Sequence, residues 1–148
     1  MPGPVVVFDT NVLIPLLLPA SHSTRLLDRL DRAGWRVALS PQILAEVSDK
    51  LQHTPALRRW LELSDDEINQ FVAQDLPAKT LAIHGRRQAH GACPADPKDD
   101  KIIAAALEAK AIYIVTEDKH LLHLESYEDI IIINRRDFDA ELGRFGVA

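Results

Sequence analysis

The strongest constraint on the fold is a set of short apolar runs, rich in β-branched residues, separated by longer helical stretches. Residues 5–8 (VVVF), 37–39 (VAL), 112–115 (IYIV) and 130–133 (IIII) are such runs, and 80–83 is a weaker one. Continuous apolarity over so few residues marks strands buried on both faces, as in a parallel sheet. Helical patterns lie between them. Leu26, Leu27 and Leu30 recur at helical spacing within 23–32. Ser40 followed by Pro41 supplies an N-cap and a first-turn proline. Ile43, Leu44, Val47 and Leu51 then form one stripe. Ser64 precedes Asp65, Asp66 and Glu67, acids where a helix N-terminus favours them. Residues 76–95 read as a connection around one short strand, and Asp96-Pro97 opens a helix reaching about Ala109. This alternation predicts an α/β fold with helices covering a central parallel sheet.

The 148 residues are expected to form a single domain, 1–148, around one core. Aromatic residues are scarce at 5%, so Leu, Ile, Val and Ala are expected to fill that core. No apolar stretch approaches the ~20 residues that cross a bilayer. The opening MPGPVVVFD lacks the basic start and apolar run of a signal peptide. Cys93 stands alone, which excludes an internal disulfide and a cysteine-rich zinc site. Together these point to a reducing, cytoplasmic setting. A net charge of −5 departs from the basic footprint usual for nucleic-acid binders. Part of that acidity fits a metal site, where the cation reverses the local sign.

Four carboxylates converge on this scheme. Asp9 directly follows the first strand, at the strand end where open α/β sheets place their ligand sites. Asp118 follows the 112–115 strand in the run VTED and reaches the same edge. Asp100 lies one turn before Ile103, Ala104 and Leu107, on the apolar stripe of its helix, so its carboxylate is expected to face the sheet. An acid there needs a partner, and a cation would serve. Asp99 competes for the same role, but as the third helical residue it can also serve exposed amides. Glu46 lies at the edge of the stripe that includes Ile43 and Val47; its plain alternative is a pair with Lys50 at i+4. Four acids from separate segments suit a hard, oxygen-seeking ion such as Mg²⁺. The six histidines show no zinc-ligand spacing.

Several blocks resemble the PIN-domain family. The run VVVFDTNVLI resembles its opening block, with Asp9 as the first acid and Asn11 as a neighbouring polar residue. SPQILAEV resembles the second block, with Glu46 as its acid. DPKDDKIIAAALEAKAIYIVTEDKHLL resembles the third and fourth, with Asp100 and Asp118 as acids and Thr116 as the hydroxyl residue near the last. The resemblance covers nearly the whole chain and is closest to VapC-like toxin components of prokaryotic toxin–antitoxin pairs. It implies a three-layer α/β/α fold and cleavage of single-stranded RNA with Mg²⁺ or Mn²⁺. It also implies a homodimer and a protein antitoxin that covers the acidic site.

The chemistry expected is phosphodiester hydrolysis, with Asp9, Asp100 and Asp118 nearest the metal and Glu46 completing the cage or taking a proton from water. A bound ion lowers the pKa of its water and stabilises the departing oxygen. Arg86 and Arg87, and Arg135 and Arg136, are basic pairs available for phosphate, although exposed pairs are usually only solvated. Two other readings remain. One is a catalytically inactive PIN-fold interaction module. The other is a phospho-acceptor signalling domain, which would leave Glu46 and Asp100 without a role. A Rossmann-type nucleotide binder lacks its GxGxxG after the first strand.

Overall fold

The structure is a computed structural model that describes residues 3–17, 24–78 and 80–147. Its strands are β1 (Val5–Phe8), β2 (Arg36–Leu39), β3 (Leu81–Ala82), β4 (Tyr113–Val115), β5 (Ser126–Tyr127) and β6 (Ile130–Ile133). They form one sheet in the order β3-β2-β1-β4-β6-β5. Every neighbouring pair is parallel except β5 with β6, where a tight return adds an antiparallel edge. The runs of β1, β2 and β4 therefore sit inside the sheet, where double-sided burial requires them, whereas β6, beside the edge strand, leaves Ile131 exposed. Val6, Val7, Phe8, Ile114 and Val115 are fully enclosed.

The strand order carries the main functional consequence. From β1 the chain builds outward to β2 and β3, then returns to place β4 on the other side of β1. The direction of winding reverses between β1 and β4. The helices leaving those two strand ends diverge, which opens a crevice at the carboxyl edge of the sheet.

Helices lie on both sides of the sheet. Those most relevant here are α1 (Thr10–Leu17), α2 (Thr24–Arg32) and α3 (Pro41–His53). After them come α4 (Pro55–Leu61), α5 (Asp65–Gln70), a π-helical segment (Phe71–Asp75) and α6 (Leu76–Ala78). A 3₁₀ turn (Pro97–Asp99) leads into α7 (Asp100–Ala109), followed by α8 (Lys119–Leu122) and α9 (Arg135–Arg144). α7 packs on β1, β2 and β4. On the opposite face Phe138 of α9 meets the Phe8 ring at 5.9 Å and Tyr113 at 5.5 Å, both edge-on.

Local sequence explains most of these elements. The Ser40 hydroxyl accepts from the Ile43 amide at 3.1 Å and starts α3, whose Ile43, Val47 and Leu51 are buried. Ser64 and Glu67 form a reciprocal capping box at α5. α2 carries buried Leu26 and Leu30, while the expected start at Ser23 lies outside the described residues. Three features differ from expectation. α1 has only a narrow exposed stripe, Asn11 and Pro15, while Thr10, Val12, Leu13, Ile14 and Leu16 are all buried, so it has little amphipathic period, and its internal Pro15 reads as a breaker. The scarce aromatics also contribute to the core as one network, in which Phe138 meets Phe8, Trp35 and Tyr113, and Trp35 meets Tyr113 and Phe145. Finally, the segment from Asp96 is not one α-helix. Its first turn is 3₁₀, and this changes which acid faces the crevice.

Candidate active site

Asp9 sits at the end of β1, at the point of reversal. Its amide donates to the Val115 carbonyl at 2.9 Å, and its own carbonyl accepts from Val12 and Leu13, the first bonds of α1. The backbone is thus fixed on both sides, and the side chain is only 7% exposed. Its Oδ2 accepts a 2.8 Å hydrogen bond from the Thr116 hydroxyl, which in turn accepts from the Asp118 amide at 3.0 Å. One buried hydroxyl therefore ties the loop after β1 to the loop after β4. Asp118 also caps α8, its Oδ1 accepting from the His120 amide at 2.7 Å.

The third acid to enter the crevice is Asp99. Its carboxylate has a ligand oxygen within 4.8 Å of equivalent oxygens on Asp118 and Asp96. The 3₁₀ turn accounts for the pair: with three residues per turn, side chains at i and i+3 eclipse, so Asp96 and Asp99 face the same way. Asp99 is 8% exposed, and its Oδ2 is buried without a hydrogen-bond partner. Burial first, then the charges of Asp118, Asp9 and Asp96 and a proton-sharing contact with the Asp118 carboxylate, push its pKa up to about 7. Burial likewise raises Asp9. The Thr116 hydroxyl and Thr10 amide oppose that rise, while the charges of Glu46 and Asp118 add to it.

Asp100 is placed elsewhere, which corrects the expectation that it faces the sheet. Its two oxygens accept from the Gly91 amide at 3.0 Å and the Cys93 amide at 2.8 Å, fastening the preceding loop. The reason lies in the helix. Ile102, Ile103 and Ala106 are fully buried, whereas Leu107 is only partly so. The deeper stripe therefore contains Asp99 at i−3 and i−4 from Ile102 and Ile103, one residue off the stripe through Leu107. A helix buried over most of its circumference gives two overlapping stripes, and the sequence pattern favoured the shallower one.

Glu46 stands at the rim. Its carboxylate is paired with Lys50 at 3.1 Å and with Lys101. Burial works against its charge, but hydrogen bonds and attraction from Lys101 and Lys50 outweigh that and hold its pKa below the ordinary value. Lys50 also donates to Asn11 Oδ1 at 2.6 Å, so Asn11 is a support for this lysine. Asp96 is the acid that sequence reasoning gave only a capping role. The DPKDD spacing held the signal, but only in a 3₁₀ register.

This donor set fits a hard divalent cation. Carboxylate oxygens crowd together, one buried oxygen lacks any donor, and a proton is held unusually tightly where a cation would otherwise sit. No soft thiolate ligand competes, because Cys93 is buried and burial raises its thiol pKa.

Residues 5–120 match the family described as PIN domain, and the chain belongs to that family. No curated protein sequence matches it. Among solved structures, it is similar to the crystal structure of VapBC2 from Rickettsia felis bound to a DNA fragment from their promoter. The TM-score is 0.59 at 16% identity, covering 88% of this chain and 98% of that one. It is also similar to FitAcB from Neisseria gonorrhoeae, with a TM-score of 0.57 at 16% identity and coverage of 87% and 96%. A structure of FitAB bound to an IR36 DNA fragment gives 0.55 at 15% identity, covering 87% and 94%. At such identities the likeness is one of fold. Among the described residues no helix is long and apolar enough to cross a membrane.

Proposed function

We propose that this chain is a ribonuclease dependent on Mg²⁺ or Mn²⁺ that hydrolyses phosphodiester bonds of single-stranded RNA in the cytoplasm. The observation that carries the reading is the orphaned Asp99 oxygen, set among Asp96, Asp118 and Asp9 at the reversal point of the sheet. Asp9, Asp99 and Asp118 would hold the ion, with Asp96 as a fourth oxygen source. When bound, the ion supplies an activated water and charge stabilisation at the phosphate. The protein's own part is positional. The Thr116 hydroxyl keeps Asp9 and the Asp118 loop in register. Glu46, ionised between Lys101 and Lys50, holds those ammonium groups at the rim, where a phosphate would approach. Asp100 acts one step back, by fixing the loop that ends at Asp96.

PIN-family membership, the VapC resemblance and the likeness to complexes named VapBC2 and FitAB support a role as the toxin of a toxin–antitoxin pair, paired with a protein antitoxin and homodimeric. The test is cleavage of a single-stranded RNA pool with Mn²⁺ or Mg²⁺ and with EDTA, comparing wild type with Asp9→Asn. Metal-dependent cleavage lost in the variant is expected. Intact RNA under every metal condition would leave a PIN-fold interaction module. Light scattering, alone and with a candidate antitoxin, checks the assembly.

A further inference from the structure

A pocket of about 180 Å³, lined in part by Lys101 and Asp100, lies between α7, the start of α3 and the connection after β3. Its construction is unusual for a surface loop. Glu108, near the end of α7, accepts four consecutive backbone amides: His84 at 2.8 Å, Gly85 at 3.1 Å, Arg86 at 2.7 Å and Arg87 at 3.0 Å. Those bonds hold its pKa below the ordinary value. Gly85 is required by the same fit. Its φ is +71°, and a Cβ there would lie 2.4 Å from Gln42 Oε1 and 2.8 Å from Pro41 Cδ. Gln42 in turn donates to the Gly85 carbonyl at 3.0 Å. At the other end Asp100 holds Gly91 and Cys93. Two carboxylates on one helix thus pin both ends of a loop that has little regular structure of its own.

The pocket that results has an apolar floor of Ala104 and Ala105 and a polar edge of Arg87, Gln88 and His90. His90 Nε2 lies 3.0 Å from Gln88 Oε1, which leaves the Gln88 amide group as a donor. The rim acids Glu108 and Asp100 are occupied by amides. Lys101, which also pairs with Glu46, lines the pocket too. Small flat floor, hydrogen-bonding edge and cationic flanks match one unpaired base with its phosphates, in a volume below the ~300 Å³ of drug-sized sites. Unpaired bases are read by edge hydrogen bonds and by stacking on aromatic rings or guanidinium planes, groups that His90 and Arg87 supply at this pocket.

We infer that this pocket binds one unpaired nucleobase of the RNA strand beside the scissile phosphate, and that Glu108 is the positioning residue that shapes it. The path of the strand past Lys101 rests on the nuclease reading; the pocket's affinity for a base does not. The test is fluorescence anisotropy of labelled single-stranded rA, rC, rG and rU oligomers in Mg²⁺, in an Asp9→Asn background that keeps the RNA intact. One homopolymer is expected to bind at least tenfold more tightly than the weakest. Ala104→Leu, which fills the pocket, should erase that preference, and Gln88→Ala, on an exposed part of the loop, should reduce it at least threefold. Glu108→Ala should flatten the preference in the same way, with its circular dichroism unchanged. Matching DNA oligomers show whether the sugar contributes. Equal affinities for all four homopolymers, or a preference untouched by both Ala104→Leu and Gln88→Ala, would overturn the inference, and so would tight binding that only duplex RNA supports. These outcomes are independent of whether the wild type cleaves RNA in Mn²⁺.

Discussion

Replacing Asp99 and Asp100 one at a time should move stability in opposite directions, although the two residues are adjacent and chemically identical. Asp99 shares a space within 4.8 Å with Asp96 and Asp118. At that separation two full charges repel by about 3 kcal/mol at an effective dielectric of 20, and by under ~1 kcal/mol in water. Asp96 and Asp118 are half-exposed, so relief of about 1–2 kcal/mol is expected from Asp99→Asn without metal. Asp100 instead accepts two amide hydrogen bonds. A bond to a charged group contributes about 1.5–3 kcal/mol, and Gly91 can partly recover one from water, so Asp100→Ala should cost about 2 kcal/mol. For a chain of this size each kcal/mol shifts Tm by roughly 2–4 °C.

The pH dependence gives the sharper signature. Asp99 holds its proton up to about pH 7 in the folded protein, well above the ordinary carboxylate value. The folded state therefore binds more protons than the unfolded state between ~4 and ~7, and wild-type stability falls as pH rises through that window. Asp99→Asn should melt close to wild type at pH 5 and several degrees higher at pH 8. Asp100→Ala should melt lower at both. Thermal unfolding in EDTA at the two pH values reads all of this. An Asp99→Asn protein less stable than wild type at pH 8, beside a neutral Asp100→Ala, would refute the charge-crowding reasoning and exchange the two roles.

Other expectations follow from single contacts. Thr116→Val leaves the buried Asp9 oxygen and the Asp118 amide without their shared partner; it should lower kcat for RNA at least tenfold and cost about 1–3 kcal/mol in a urea melt. Gly85→Ala combines a left-handed φ with a close approach to Gln42 and should cost about 1–3 kcal/mol, read by chemical unfolding. Phe138→Ala empties the space between Phe8 and Tyr113 and should cost about 3–5 kcal/mol by the same assay.

The sheet was legible because strands buried on both faces, such as β1, leave continuous β-branched runs; the 130–133 run marks β6 as well, although Ile131 there is exposed. The caps at Ser40 and Ser64 were legible for a similar reason, since their bonds are local. α1 was not, because a helix that exposes only Asn11 and Pro15 has too narrow an outer face to give it a clear period. The positions of Asp9 and Asp118 followed from their place after strands, whereas strand order, and with it the reversal between β1 and β4, is a long-range property. The choice between Asp99 and Asp100 turned on a change of about 20° per residue between α and 3₁₀ winding over one turn. The sequence DPKDDKII is compatible with either. Only the packing of Ile102 and Ile103 against the sheet, with the Gly91 and Cys93 amides bonded to Asp100, turns Asp99 rather than Asp100 toward Asp118.

The most direct measurement is Mn²⁺ binding and RNA cleavage on the same preparations of wild type, Asp99→Asn and Asp100→Asn, with bound Mn²⁺ counted by electron paramagnetic resonance. All three should be assayed at a temperature where each is folded. The expected result is that Asp99→Asn loses at least tenfold in Mn²⁺ affinity and all detectable cleavage, while Asp100→Asn binds Mn²⁺ like wild type and retains measurable cleavage. Wild-type Mn²⁺ affinity and cleavage in Asp99→Asn, with both lost in Asp100→Asn, would contradict the site.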